Sequence, residues 1–378
     1  MGAGRAESSV QGTKVGDSKK KEYRYYIRRY ASTIEAKGED EHELISLTAK
    51  VPFDDRFNQA AGVGDLSRRL MLEFLRDVGS ELSEAAVNIS VDDLGRQMNV
   101  VGGPVEAVLP KNVGLLFFNE HPRQFFPATQ IDVVWFPEGA GGDRFDEKIF
   151  EGPIDRIAKD ALHYIQNTYL TQTVIKHDDR AEADRFWNFP YAAIEEAVIN
   201  AVYHRSYEIR EPIEVRITPQ DFVVLSFPGP DRSIKMEALR QGKGVSRRYR
   251  NRRIGEFLKE LDLTEGRSTG ISKILKAMKT NGSPLPEFET DEDRSYFLIR
   301  LPIHLEVRLA ESTPESSEKT SEKIISEILK NTYVTISELA DLTGVTTRSV
   351  ERNLKKLQDS GVLKRIGPAK GGHWEVIE

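Results

Sequence analysis

Cysteine is missing altogether from the 378 residues, so the chain can form no disulfide, offer no thiolate to zinc and use no cysteine nucleophile. Histidine is sparse. The seven present are scattered and none stands at metal-ligand spacing from another, which argues against a zinc site. No apolar run approaches the ~20 residues that a membrane-spanning helix needs. The first residues lack the apolar stretch of a secretory signal, so a cytoplasmic protein with no membrane partner is expected. No Gly-x-x-x-x-Gly-Lys-Ser/Thr loop occurs, and a helicase motor of that type is not expected. The net charge of −6 is no bulk attraction for nucleic acid, so such contacts must come from local patches. With 39% hydrophobic and 30% charged residues, the composition is that of a soluble globular chain with room for two or three domains.

What is present speaks most clearly at the C-terminal end, where residues 322–378 have the pattern of a winged helix-turn-helix. Thr335 followed by Glu338 forms a capping box that starts a helix with Leu339, Ala340 and Leu342 on its apolar side. Gly344 supplies a left-handed residue for the turn, and Thr346 caps a second helix that docks through Val350, Leu354 and Leu357. Thr347, Arg348, Ser349, Arg352, Lys355 and Lys356 are left facing outward, a set suited to reading the major groove of double-stranded DNA. Two short strands, Gly361–Ile366 and His373–Ile377, flank a tip in which Lys370 is offered to a phosphate backbone. Some winged helices serve only as protein-interaction modules, and this one is close to neutral overall.

Residues 1–42 are read as a disordered tail followed by the remnant strand of a truncated domain, because Glu22-Tyr23-Arg24-Tyr25-Tyr26-Ile27-Arg28-Arg29-Tyr30 alternates like a strand. Its bases and tyrosines suit either nucleic acid or a solvated sheet edge. Residues 43–180 are expected to form a mixed α/β region with a helix near Asp65–Leu75, strands at Val113–Phe118 and Ile131–Phe136, and a helix from Pro153. Within 181–308 the pattern predicts a helix from Pro190 to about Tyr207 and a hairpin of Ile213–Ile217 with Phe222–Phe227. Helices near Arg253–Leu261 and Gly270–Asn281 and a strand at Tyr296–Leu301 follow. Residues 309–321, rich in Glu, Ser and Thr with Pro314, are expected to be a linker.

The helix from Pro190 carries Glu196 and Asn200 one turn apart, with Tyr207 on the same face and His204 at its edge. A carboxylate and a carboxamide so placed suit a metal–phosphate site, one activating water and the other ligating Mg²⁺. They equally suit an ordinary polar helix face. Ser226-Phe227-Pro228-Gly229-Pro230 is a glycine-bearing turn after a strand. Leu263-Thr264-Glu265-Gly266-Arg267-Ser268-Thr269-Gly270-Ile271 is a loop that opens into a helix, the arrangement that presents backbone N–H groups to phosphates. The basic stretch Ser246–Arg253 suits a polyphosphate, DNA or plain solvent.

Several phrases in fixed order carry a family resemblance. They are Val51-Pro52-Phe53-Asp54-Asp55-Arg56, Gln124-Phe125-Phe126-Pro127 and Phe150-Glu151-Gly152-Pro153-Ile154, then Ala193–Ala201, Arg250-Asn251-Arg252-Arg253-Ile254-Gly255 and Glu265–Ile271. Residues 23–304 resemble the C-terminal part of RecG-related, "divergent ATPase" regulators. Those proteins join a Schlafen/AlbA-type N-terminal domain, here largely missing, to a GHKL-like (histidine-kinase/gyrase-type) ATPase region and often a winged helix. The resemblance implies an α+β fold: a GHKL-like α/β sandwich over 181–308, preceded by the mixed region and followed by the winged helix. It also implies ATP and Mg²⁺ as cofactors, with Glu196 as the base and Asn200 as the magnesium ligand. His204, Gly229, Gly266, Ser268, Thr269 and Gly270 then fall at nucleotide-binding positions. The chain departs from the pattern in two places. Ser206 stands where the family usually has Asp, and no adenine-reading Asp precedes Gly229.

The expectation is a DNA-binding transcriptional regulator, homodimeric because one small winged helix binds DNA weakly. Its ATPase-type domain would be divergent or degenerate. The rivals are an active DNA-dependent ATPase and a protein-interaction scaffold without nucleotide.

Overall fold

The computed structural model of the chain describes residues 13–14, 23–24, 26–29, 32–35, 51–139, 141–176, 182–244, 249–265, 269–307, 314–367 and 372–377. It divides into two compact units. One contains residues 1–171 and 189–302; the other contains 172–188 and 303–378. The mixed region and the ATPase-type region expected as neighbours therefore share one unit, apart from a hairpin that belongs to the second.

The first unit opens with two strand pairs, β1 (Thr13–Lys14) with β2 (Tyr23–Arg24), and β3 (Tyr26–Arg29) with β4 (Ser32–Glu35). The alternating segment at 23–29 thus finds partners, as a lone strand could not persist. Three helices follow: α1 (Arg68–Asp77), capped by Ser67, the short α2 (Leu82–Ala85) and α3 (Val91–Gln97), capped by Ser90. The small ladder β5 (Val101–Gly102) with β6 (Leu109–Pro110) leads into α4 (Asn112–Phe118).

Helix α4 corrects the strand expected at 113–118. A short run of apolar residues has no period that separates a buried helix from a buried strand. Tertiary contacts decide here. Phe117 and Phe118, adjacent in sequence, both meet Phe74 of α1 and Phe257, which alternation across a strand would prevent. All seven residues of α4 are buried.

The main sheet has six strands in the order β13-β14-β12-β11-β7-β8. These are β7 (Gln130–Trp135), β8 (Asp146–Glu151), β11 (Ile213–Ile217), β12 (Asp221–Ser226), β13 (Glu287–Glu289) and β14 (Phe297–Pro302). Only β11 with β7 is parallel, Val215 opposite Val133; the other pairs are antiparallel. In β11, Ile213, Val215 and Ile217 are buried while Glu214 and Arg216 between them pair with each other, the alternation of a sheet with one covered face. Helices α5 (Ile154–Tyr169) and α6 (Tyr191–His204) pack on the sheet. The chain returns through α7 (Met236–Arg240) and α8 (Arg252–Glu260) to α9 (Gly270–Asn281), which packs along α6.

In the second unit, hairpin β9 (Gln172–Ile175) with β10 (Asp184–Trp187) places Phe186 face to face with His304, the rings 3.9 Å apart. The winged helix follows as α10 (Pro314–Lys330), α11 (Ile336–Thr343), α12 (Thr347–Asp359) and the wing β15 (Leu363–Ile366) with β16 (His373–Val376). Its first helix begins at Pro314, inside the segment expected as linker. Ile324 and Ile328 are fully buried against Val334, Leu339, Val350, Leu354 and Trp374, so the helix belongs to the module's core.

Candidate functional site

Helix α6 is buried on most sides, with Ala193, Ile194, Ala197, Val198, Ile199, Ala201 and Val202 all in the core. Glu196 and Asn200 interrupt that apolar surface, each half-buried. The Asn200 amide donates to the Glu196 carbonyl at 2.8 Å and to its carboxylate Oε1 at 3.3 Å. Burial pushes the Glu196 carboxyl above its usual range, against the opposing pull of the nearby Lys273 ammonium.

The first turn of α9 lies directly on this pair. A Cβ on Gly270 would come within 2.4 Å of Asn200 Nδ2 and 2.6 Å of Glu196 Oε1, so only glycine fits without moving them. One turn on, Lys273 Nζ stands 3.6 Å from Glu196 Oε2 and 3.0 Å from Glu265 Oε1. Thr269 Oγ1 donates to the other oxygen of Glu265 at 3.3 Å. Burial pulls the Lys273 ammonium down, but the bond to Glu265 and the charge of Glu196 outweigh it and hold the group above its ordinary value. Sequence reasoning placed Glu196, Asn200, Thr269 and Gly270 but passed over Lys273. The signal was present, since Lys273 follows Gly270 at helical spacing.

The other candidate positions lie elsewhere. Gly266 and Ser268 fall outside the described residues. Gly229 is held against the 290–296 turn, donating its N–H to the Arg294 carbonyl at 2.7 Å. A Cβ there would lie 2.7 Å from the Tyr296 carbonyl oxygen. His204 ends α6 with an exposed ring stacked on Tyr203, and Tyr249 adds a third ring to the stack. Tyr207 lies beyond the helix, which stops at His204, so it does not share the Glu196–Asn200 face. It is buried, and its hydroxyl donates to the Val202 carbonyl at 2.8 Å.

Several of the phrases that carried the family resemblance meet in a structural hub next to α6. Arg205 is buried and its guanidinium donates only to carbonyl oxygens, those of Ala128 and Glu211 each at 2.7 Å being the closest. Asn251 donates to the carbonyls of Tyr203 at 2.9 Å and Arg205 at 2.6 Å, fixing the end of α6. Gly255 admits the Tyr203 ring where a Cβ would lie 2.3 Å from its hydroxyl. Asp54, fully buried, accepts the Ile254 N–H at 3.0 Å in the first turn of α8. Burial raises its carboxyl to about 6.

A Mg²⁺ ion prefers oxygen ligands and keeps waters or phosphate oxygens in its shell. Among the described residues no group of three or more His, Asp or Glu could hold a metal by itself. The Glu196 carboxylate and Asn200 carboxamide supply two oxygens, which fits an ion brought with a nucleotide and not a cage of protein ligands.

In the second unit the predicted caps form. Thr335 and Glu338 complete the capping box, Gly344 takes φ 71°, and Thr346 accepts the Ser349 N–H at 3.2 Å. Thr347, Arg348, Arg352, Lys355 and Lys356 are exposed along α12, and Ser349 is half-buried. Lys370 lies outside the described residues. Asn353, which sequence reasoning missed, is buried and clamps the module: it donates to the Ser349 carbonyl at 2.7 Å and accepts from Ser321 Oγ of α10 at 3.0 Å. In the wing, Arg365 lies over the Trp374 ring at 4.5 Å.

A helical layer packs on a mixed sheet, with a carboxylate and a carboxamide on one buried helix, and the same chain carries a winged helix. Comparison with known families finds one match in each unit, the first beginning after the helix of Glu196 and Asn200. Residues 211–301 match the family described as "Putative ATP-dependent DNA helicase recG C-terminal", and residues 317–364 match the winged helix-turn-helix DNA-binding family. These are the two components of the RecG-related, divergent-ATPase class that the sequence resembles. No protein of curated function matches the chain. Among solved structures, the DIP2311 protein from Corynebacterium diphtheriae is similar at 17% identity with a TM-score of 0.51, over 94% of this chain and 70% of that one. That likeness concerns the fold alone. Among the described residues no helix is long and apolar enough to cross a membrane.

Proposed function

We propose that the chain is a DNA-binding transcriptional regulator that acts in the cytoplasm as a homodimer on double-stranded DNA. The observation that carries this reading is α12. It is packed into a complete winged-helix core by Val350, Leu354 and Leu357 while Thr347, Arg348, Arg352, Lys355 and Lys356 stay exposed. Short polar and long basic side chains at that end of a recognition helix suit base edges and phosphates. The ATPase-type domain then serves as a sensor for ATP. Asn200 would hold a nucleotide-borne Mg²⁺ through its carboxamide oxygen, and Glu196 would accept a proton from water. Bound Mg²⁺ would supply charge neutralisation at the phosphates. Because no aspartate precedes Gly229, affinity for ATP is expected to be weak, with little preference for adenine over guanine.

Fluorescence anisotropy of the full chain on duplex DNA tests the first part. Arg348→Ala or Arg352→Ala should lower discrimination between sequences by ~1–3 kcal/mol for a bidentate base contact. Lys370→Ala should instead weaken all duplexes alike and flatten the salt slope by about one unit. Absence of salt-sensitive duplex binding by the full chain would end the DNA-binding reading.

A further inference from the structure

Among the partners of the Glu265 carboxylate are two donors that a phosphate would also use. Lys273 Nζ reaches Oε1 at 3.0 Å and Thr269 Oγ1 reaches Oε2 at 3.3 Å. The same ammonium leans on Glu196, 3.6 Å away, so its positive charge stands between two carboxylates. The two acids are not equivalent. The Glu196 side chain is 15% exposed, whereas that of Glu265 is 57% exposed and that of Lys273 is 40% exposed. The outer carboxylate is the one open to exchange with solvent, while the inner one stays beside the ammonium. Gly270 seals the floor, since even a Cβ would strike Asn200 and Glu196.

We infer that Glu265 is an internal competitor for the anion subsite of this domain, and that Lys273 is the phosphate-binding cation it occupies. Binding is then an exchange: a phosphate oxygen takes the place of the Glu265 carboxylate on Lys273 and Thr269, and Glu265 turns outward. The exchange forms and breaks only ion pairs and hydrogen bonds. This deepens the nucleotide reading and rests on it for the identity of the ligand, but the exchange itself requires only a polyphosphate. It also assigns the positive charge beside Glu196 to the protein, so part of the phosphate affinity should survive removal of divalent metal.

Calorimetric titration of the full chain with ATP and with inorganic tripolyphosphate, each with Mg²⁺ and with EDTA, tests this on wild type and four variants. Glu265→Gln removes the competing charge and should tighten both ligands about threefold to tenfold. Lys273→Met should weaken both at least tenfold, and Lys273→Arg should restore most of the loss. In the double variant Glu265→Gln/Lys273→Met the gain from the glutamine should vanish, because there is no cation left to compete for. Thermal unfolding of each variant separates these effects from misfolding. Tripolyphosphate binding that tightens in Glu265→Gln, with no ATP binding in any protein, would overturn the nucleotide reading and leave the exchange standing. Equal or weaker binding of tripolyphosphate by Glu265→Gln would overturn the exchange, as would failure of wild type and Glu265→Gln alike to bind it.

Discussion

Asp54 shows how one residue can link fold stability to pH. It is fully buried beside the first turn of α8, and burial raises its carboxyl from 3.8 to about 6 although the Ile254 N–H pulls the other way. A raised folded-state value means that the native protein holds the proton more tightly than the unfolded chain. The resulting stabilisation is complete below about 3.8 and is lost as pH rises through about 6. Asp54→Asn does not titrate. The stability of wild type relative to that variant should therefore fall by roughly 1–3 kcal/mol between pH 4 and pH 7 in urea denaturation. A constant difference across that range would show that the Asp54 carboxyl titrates alike in the folded and the unfolded chain. Gly255 makes a separate prediction at the same scale. A methyl group there meets the buried Tyr203 ring at 2.3 Å, and that ring is stacked on Tyr249. Gly255→Ala should cost ~1–3 kcal/mol by overpacking, measured by the same denaturation.

Among the elements, α10 and α12 depend on each other. Asn353 joins them, its amide on the Ser349 carbonyl and its oxygen under the Ser321 hydroxyl. Asn353→Ala removes both bonds from a buried position and should destabilise the winged helix by ~1–3 kcal/mol, seen as earlier loss of its transition in thermal unfolding. The same comparison shows what local pattern can and cannot resolve. The capping box at Thr335, the Gly344 turn and the Thr346 cap are contacts within a few residues, so local rules located α11 and α12. Helix α10 escaped because the composition around its start resembles a linker and its apolar stripe, Ile324 and Ile328, gains meaning only against Leu354 and Trp374. Helix α4 was misread as a strand for the related reason that every side of it is buried.

For the molecule as a whole, the proposed function makes two demands on the full chain. A homodimer reading paired half-sites should bind a duplex with two sites one helical turn apart more tightly than a single site, tested by anisotropy with both duplexes. Strand-displacement assays on forked duplexes with ATP should show no unwinding above buffer, since the sequence lacks the phosphate-cradling loop of a P-loop motor. Robust unwinding would overturn the argument from that loop.

The sequence by itself determined the relations that are short in chain distance. Glu196 and Asn200 are one helical turn apart wherever the helix goes, and Thr346 caps the helix that follows it. The alternation of Ile213, Val215 and Ile217 likewise defines a strand with one covered face. Only the tertiary structure decided the relations that cross the chain. It set Gly270 on Asn200, placed Lys273 between Glu196 and Glu265, and turned Gly229 toward the 290–296 turn. It also ended α6 at His204, so that Tyr207 points into the core, used Asn251 to tie the start of α8 to that end, and set Asp54 on the first turn of α8. Local hydrogen bonding and side-chain periodicity repeat every few residues and can be read in one dimension. Which buried polar group meets which partner depends on how helices and sheet pack, and that packing is settled by the whole chain at once.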